Sequence, residues 1–167
     1  MTLELKHNWK LSFCADSSKM PGNPTYGDLF KEIFQFDTVN KFMENFQYLE
    51  KASLIPEKTG YCIMKNNILP MFEDKSHGDN TIRIKITTKD SKDIDYLWEY
   101  LAMGVLQGVF DDECYTGIET KKNDRGQFCA VWVVGDEETH KKAQANIRKY
   151  LHLPENFELN KPFHKKH

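Results

Sequence analysis

The chain has 167 residues, 40% hydrophobic and 29% charged, a balance that suits one folded domain with a single substantial core. Its 23 Lys and Arg against 25 Asp and Glu leave a formal charge of -2. That excludes the broad basic surface by which proteins grip long nucleic acids through counterion release, though not a small basic patch around one ligand. With 11 Phe, 7 Tyr and 3 Trp, some rings are expected to do more than fill a core. Met1 to Trp9 carries Glu4 and Lys6 and no apolar run of a signal peptide, and no stretch approaches the ~20 apolar residues that span a bilayer. Cys14, Cys62, Cys114 and Cys129 lie far apart with no Cys-x-x-Cys pair, so they read as reduced, mostly buried thiols. The expected location is the cytoplasm, the nucleus or both, with no membrane partner, metal or cofactor.

In chain order, Asn8 to Cys14 alternates Trp9, Leu11 and Phe13 with Lys10 and Ser12, which predicts a strand. Ala15 to Thr25 carries Ser17, Ser18, Pro21, Gly22 and Pro24 and reads as an extended loop. A short apolar stretch ends at Phe36, after which Asp37-Thr38 can cap a helix running to about Lys51 with Phe42, Phe46 and Leu49 inward. Tyr61 to Met64 and Thr81 to Thr87 read as strands, the second alternating Ile82, Ile84 and Ile86 with Arg83 and Lys85. A second helix from Asp90 or Ser91 to about Gly108 buries Ile94, Leu97, Trp98, Leu101 and Val105. Tyr115 to Lys122 and Gln127 to Val134 form a hairpin around Asn123-Asp124-Arg125-Gly126. A third helix runs from Asp136 to near His152, and Leu153 to His167 is expected to be a loosely ordered, basic tail. The sum is a single α+β domain over residues 1–167, an antiparallel sheet with helices on one face, which leaves the other face for a ligand.

Phe36-Asp37-Thr38-Val39 followed by Phe42, then Ile68-Leu69-Pro70-Met71-Phe72-Glu73-Asp74 some thirty residues on, form a distinctive pair. With Asn8-Trp9 before them and Ala130-Val131-Trp132 after them, they resemble the eukaryotic translation initiation factor 4E family, which binds the mRNA cap. The resemblance runs from Leu5 to Pro154 with the motifs in family order. It implies a curved antiparallel sheet backed by three helices on its convex face.

The chemistry of such a site can be argued from the ligand. A 7-methylguanine ring carries a delocalised positive charge and presents two N–H donors on its Watson–Crick edge. It calls for aromatic faces above and below, each worth about 0.5–2 kcal/mol by cation–π attraction, and a carboxylate in the ring plane. By resemblance, Phe72 is one stacking ring and Glu73 reads the base edge. The family spacing from Phe36-Asp37 places the second ring at Tyr26, and Trp132 matches the tryptophan beside the methyl group. The family sandwich is most often two tryptophans, so Tyr26 and Phe72 imply weaker cap binding, by ~1–2 kcal/mol. Cations for the cap phosphates are expected at Lys122 and Arg125, although Asn123 stands where the family has its arginine.

Family members also bind a helix of initiation factor 4G or of a 4E-binding protein on the convex face. Val39 and Met43 on the first helix, and Tyr100 and Met103 on the second, lie off the buried stripes and are the expected partner surface. The bland alternative packs Met43 and Met103 on an N-terminal arm around Leu3 and Leu5. A competing functional reading is a regulatory protein, repressor or scaffold, that keeps the fold with weak or lost cap affinity. An enzyme would need a nucleophile and base such as Cys62 or Cys114 with His77, and no recognisable triad, P-loop or metal-ligand spacing supports one.

Overall fold

The computed structural model describes residues 2–78, 80–88, 91–154 and 159, with Ser91 described by its backbone. Among them, six strands form one antiparallel sheet: β1 (Glu4–Cys14), β2 (Phe30–Thr38), β3 (Gly60–Lys65), β4 (Thr81–Thr87), β5 (Tyr115–Asn123) and β6 (Gly126–Val134). Their spatial order is β2-β1-β3-β5-β6-β4. The helices are α1 (Val39–Phe46), α2 (Ser91–Leu106) and α3 (Glu137–Tyr150). This is the expected α+β architecture of a curved sheet and three helices. No helix among the described residues is long and apolar enough to cross a membrane.

Strand alternation sends successive side chains to opposite faces, and here it divides the molecule in two. Trp9, Leu11, Ile63, Ile82, Ile84, Ile118, Val131 and Val133 meet Phe42 of α1, Ile94, Trp98, Leu101 and Val105 of α2, and Ala143 and Ile147 of α3 in the main core. Each large apolar side chain buried there contributes ~1.5–3 kcal/mol of transfer free energy. The alternate positions Cys62, Met64 and Trp132 form a smaller cluster on the opposite face, with Phe30, Ile68 and Phe72 packed against it.

Two elements differ from expectation. For β2 the sequence predicts only a short apolar stretch ending at Phe36, because the strand does not keep a period of two. Leu11 pairs with Phe34 while Ser12 pairs with Glu32, so Ile33 is the extra residue of a bulge and stays 42% exposed. α1 stops at Phe46 instead of reaching Lys51. Thr38 caps it as expected, accepting from the Lys41 N–H at 3.1 Å. At the other end Tyr48 and Leu49 bond back three residues to Asn45 and Phe46, so the last turn tightens and closes. The loop Ala15 to Thr25 contains one 3-10 turn, Ser17–Lys19, capped by Asp16. Leu159 is buried against the main core. The remainder of the expected tail beyond Pro154 lies outside the described residues.

Candidate functional site

The face opposite the helices is a grid set by strand register. One row runs Arg83 (β4), Trp132 (β6), Gly117 (β5) and Met64 (β3); the next runs Lys85, Ala130, Glu119 and Cys62; the third runs Thr87, Phe128, Lys121 and Gly60. Gly117 has to be small. A Cβ there would come within 2.8 Å of the Met64 Cα, a distance that real Cβ atoms do not adopt. Its absence keeps β3 and β5 close beside Trp132.

Against the first row lies a cavity of about 450 Å³ lined by Tyr26, Pro70, Met71, Phe72, Glu73, Arg83 and Trp132. The structure therefore brings Tyr26, Phe72, Glu73 and Trp132 together, although they are spread over more than a hundred residues of sequence. Trp132 belongs to the sheet and is fully buried. The other three come from two connecting segments. Tyr26 opens a 3-10 turn, Tyr26–Leu29, held by a reciprocal capping box in which the Thr25 N–H donates to the Asp28 carboxylate at 2.9 Å. Tyr26 is 39% exposed; its ring meets Phe30 edge-on at 5.4 Å and has the Lys121 ammonium 5.5 Å from its centroid.

Phe72 and Glu73 ride on a turn pinned from both sides. The Asp74 carboxylate accepts the backbone N–H of Leu69 at 2.9 Å and of Ser76 at 2.8 Å. His77, fully buried, faces the Met71 carbonyl through Nδ1 at 2.6 Å and the Thr116 hydroxyl through Nε2 at 2.9 Å. A carbonyl only accepts, so Nδ1 carries the proton and Nε2 accepts from Thr116. Burial lowers the His77 pKa, which favours this neutral form. The imidazole stacks on Trp132 at 4.8 Å and 18°, while Phe72 tilts against the same indole at 4.8 Å and 55°. Trp132 is thus fixed by its neighbours before any ligand arrives.

The floor is charged as well as aromatic. Glu119, 5% exposed, accepts from the Arg83 guanidinium and from the Trp132 indole N–H, each at 3.2 Å. Burial raises the Glu119 pKa, against the opposing pull of Arg83 and Lys121. Arg83 lies 5.8 Å from the Trp132 centroid and 5.3 Å from Phe128, and Lys85 is 4.6 Å from Phe128.

The expected phosphate cations are placed elsewhere. Lys122 has the opposite parity on β5, with Ile118 and Thr120, and donates to the carbonyls of Ser53 at 2.6 Å and Ile55 at 2.9 Å. With Arg125 it lines a separate cavity of about 640 Å³ at the hairpin tip. Among the described residues, Arg83 lines the ring pocket, and Lys85 and Lys121 stand on the same face of the sheet in the neighbouring rows. Sequence reasoning missed them although the signal was present: once Ile82, Ile84 and Ile86 take the core, Arg83 and Lys85 must take the other face.

On the helical side, Met43 is 49% exposed, and Val39, Tyr100 and Met103 are half-buried. Met103 packs against the main core. Tyr100 stacks between Tyr96 at 5.7 Å and Tyr150 at 4.7 Å, so its ring is turned toward α3. The N-terminal arm does reach α1: the Val39 N–H donates to the Leu3 carbonyl at 2.9 Å. Cys62 and Cys114 are poor nucleophiles, because burial raises both thiols, and both His77 nitrogens are already engaged.

Comparison with known proteins is consistent throughout. The family model described as Eukaryotic initiation factor 4E matches residues 4–167. The chain is 27% identical over 133 residues to eukaryotic translation initiation factor 4E-2 of Schizosaccharomyces pombe, covering 78% of this chain and 54% of that protein. It is 26% identical over 145 residues to factor 4E1 of Drosophila melanogaster, covering 84% and 56%. The chain thus spans about half the length of these curated relatives. Among solved structures, the complex of C. elegans eIF4E-3 with the 4E-binding protein Mextli and a cap analog superposes with a TM-score of 0.83 at 20% identity, covering 98% of this chain and 93% of that one. Ascaris suum eIF4E-3 with an m2,2,7G cap gives 0.79 at 20% identity, with 97% of each chain covered. At such identities the likeness speaks to the fold.

Proposed function

Because the chain belongs to the eukaryotic initiation factor 4E family, we propose that it binds the 7-methylguanosine cap of mRNA and acts in translation initiation, in the cytoplasm, as a binding module that performs no chemistry. The observation that carries this reading is the single cavity that gathers Tyr26, Phe72, Glu73 and Trp132. The base stacks on the rings of Tyr26 and Phe72, which attract its positive charge, and the Glu73 carboxylate accepts its two edge donors. Trp132 supplies the apolar wall for the methyl group. Tyr26 already has an ammonium near its ring, that of Lys121, an arrangement that fits a face able to hold a cation. The cap phosphates run toward Arg83, Lys85 and Lys121, the cations that share the face with the rings. This role replaces the one first expected of Lys122 and Arg125.

On the convex side, a helical segment of an initiation factor 4G or of a 4E-binding protein docks on α1 and α2, with Val39, Met43, Tyr100 and Met103 as contacts. Solved structures of relatives in complex with 4E-binding proteins support a partner of this kind. The cap reading is tested by calorimetric titration with 7-methyl-GTP, with GTP as control and Glu73→Ala as a second protein. Saturable binding of the methylated nucleotide that disappears in Glu73→Ala is the expected result. Equal, feeble heats for both nucleotides would overturn it and leave the fold-retaining regulatory protein as the better description.

A further inference from the structure

An ion pair between the half-buried Arg83 and the buried Glu119 lies against the cavity. The Arg83 guanidinium lines the wall where a cationic base would rest. Left alone, a full positive charge there would repel that base, because the site is partly desolvated and Coulomb interactions are weakly screened. Glu119 answers it from the adjacent row, taking the guanidinium and the Trp132 indole N–H on the same oxygen. The Arg83 Nε is itself buried without a hydrogen-bond partner among the described residues, and Glu119 is the carboxylate seen paired with the guanidinium, through Nη1 at 3.2 Å. The remaining charges around the site are Lys85 on β4, Lys121 on β5 and Glu73 at the mouth.

We propose that Glu119 is a specificity-determining residue: by balancing Arg83 beneath Trp132, it lets the cavity accept a positively charged purine and so sets the preference for a methylated over an unmethylated guanine. The inference rests on the cap-binding reading. It assigns the methyl preference partly to an anion that never touches the base. The neutral base of GTP feels little of the Arg83 charge, whereas the cationic base of 7-methyl-GTP feels all of it. Both nucleotides share the same phosphates, so the ratio of their affinities isolates the effect on the base.

The experiment titrates 7-methyl-GTP and GTP into the wild-type chain and into Glu119→Gln, whose amide oxygen still accepts hydrogen bonds but carries no charge. The expected result is a methyl preference about tenfold lower, carried by weaker 7-methyl-GTP binding with GTP affinity held or raised. Unchanged tryptophan emission, compared between each protein and its Trp132→Phe counterpart to subtract Trp9 and Trp98, shows that the indole has kept its place. A matched loss for both nucleotides means a merely structural role and overturns the proposal, as does an unchanged ratio. Should Glu119→Gln fail to fold, Arg83→Met titrated at about pH 8 decides the matter, since it removes the cation paired with the carboxylate and leaves only the weaker pull of Lys121. The ratio should then rise, and a ratio that stays or falls overturns the proposal. A wild-type chain that does not distinguish the two nucleotides removes the cap reading, and this inference with it. Discrimination by wild type that survives in Glu119→Gln removes this inference alone.

Discussion

At the scale of the residue, the two proposed stacking rings are of modest size. A phenylalanine offers a smaller and less electron-rich face than a tryptophan, so Phe72→Trp is expected to tighten 7-methyl-GTP binding by about 1 kcal/mol, roughly fivefold, in the same calorimetric titration. Phe72 is only partly buried and belongs to a turn, so the larger ring has room to settle. GTP should gain less than the methylated nucleotide, because its base carries no positive charge. The meeting of Tyr26, Phe72, Glu73 and Trp132 was legible from the ordered motifs and the family resemblance they carry. The cations were not, and the reason is parity: Lys121 and Lys122 are neighbours in sequence but face opposite sides of β5. One ammonium stands over a pocket ring, and the other is spent on two carbonyls. Only the strand register tells them apart, and Lys121 enters it as the partner of Phe128.

At the scale of the element, caps and alternation explain what could be read in advance. β4 was expected over Thr81 to Thr87 and is observed there, because three isoleucines alternate strictly with polar residues. α3 begins where Asp136 was expected to start it, with the Asp136 carboxylate accepting both the Thr139 N–H and its hydroxyl at 2.8 Å. Asp136→Ala should therefore cost about 1 kcal/mol and lower the melting temperature by roughly 2–4 °C, which a thermal melt followed by circular dichroism would show. The pocket should be unaffected, since α3 packs on the opposite face of the sheet. β2 escaped notice because a bulge at Ile33 breaks its period, and a sliding alternation has no means of skipping one residue. The sequence predicts a longer α1 because Phe46 and Leu49 keep helical spacing across a turn that has already closed.

At the scale of the whole molecule, a chain of net charge -2 still presents a local cationic track, since Arg83, Lys85 and Lys121 share one face of the sheet. If the cap phosphates follow that track, added salt should weaken 7-methyl-GTP binding far more than binding of the uncharged-tail nucleoside 7-methylguanosine. Titrations at about 0.05 and about 0.5 M NaCl would check this, because exposed charges are screened over a few ångströms at the higher value. A parallel decline for both ligands would place the phosphates away from these cations.

The pocket is also assembled from two kinds of material. Its floor, Trp132 with Arg83 and Glu119, is woven into the hydrogen-bonded ladder, whereas Tyr26, Phe72 and Glu73 hang from turns outside it. Exchanging a floor residue disturbs strands that also support the main core; exchanging a ring on a turn disturbs little beyond the turn. The two layers are therefore free to drift at different rates over evolutionary time. One aromatic on a turn can be traded for another, retuning how long the ligand is held, while the scaffold stays the same.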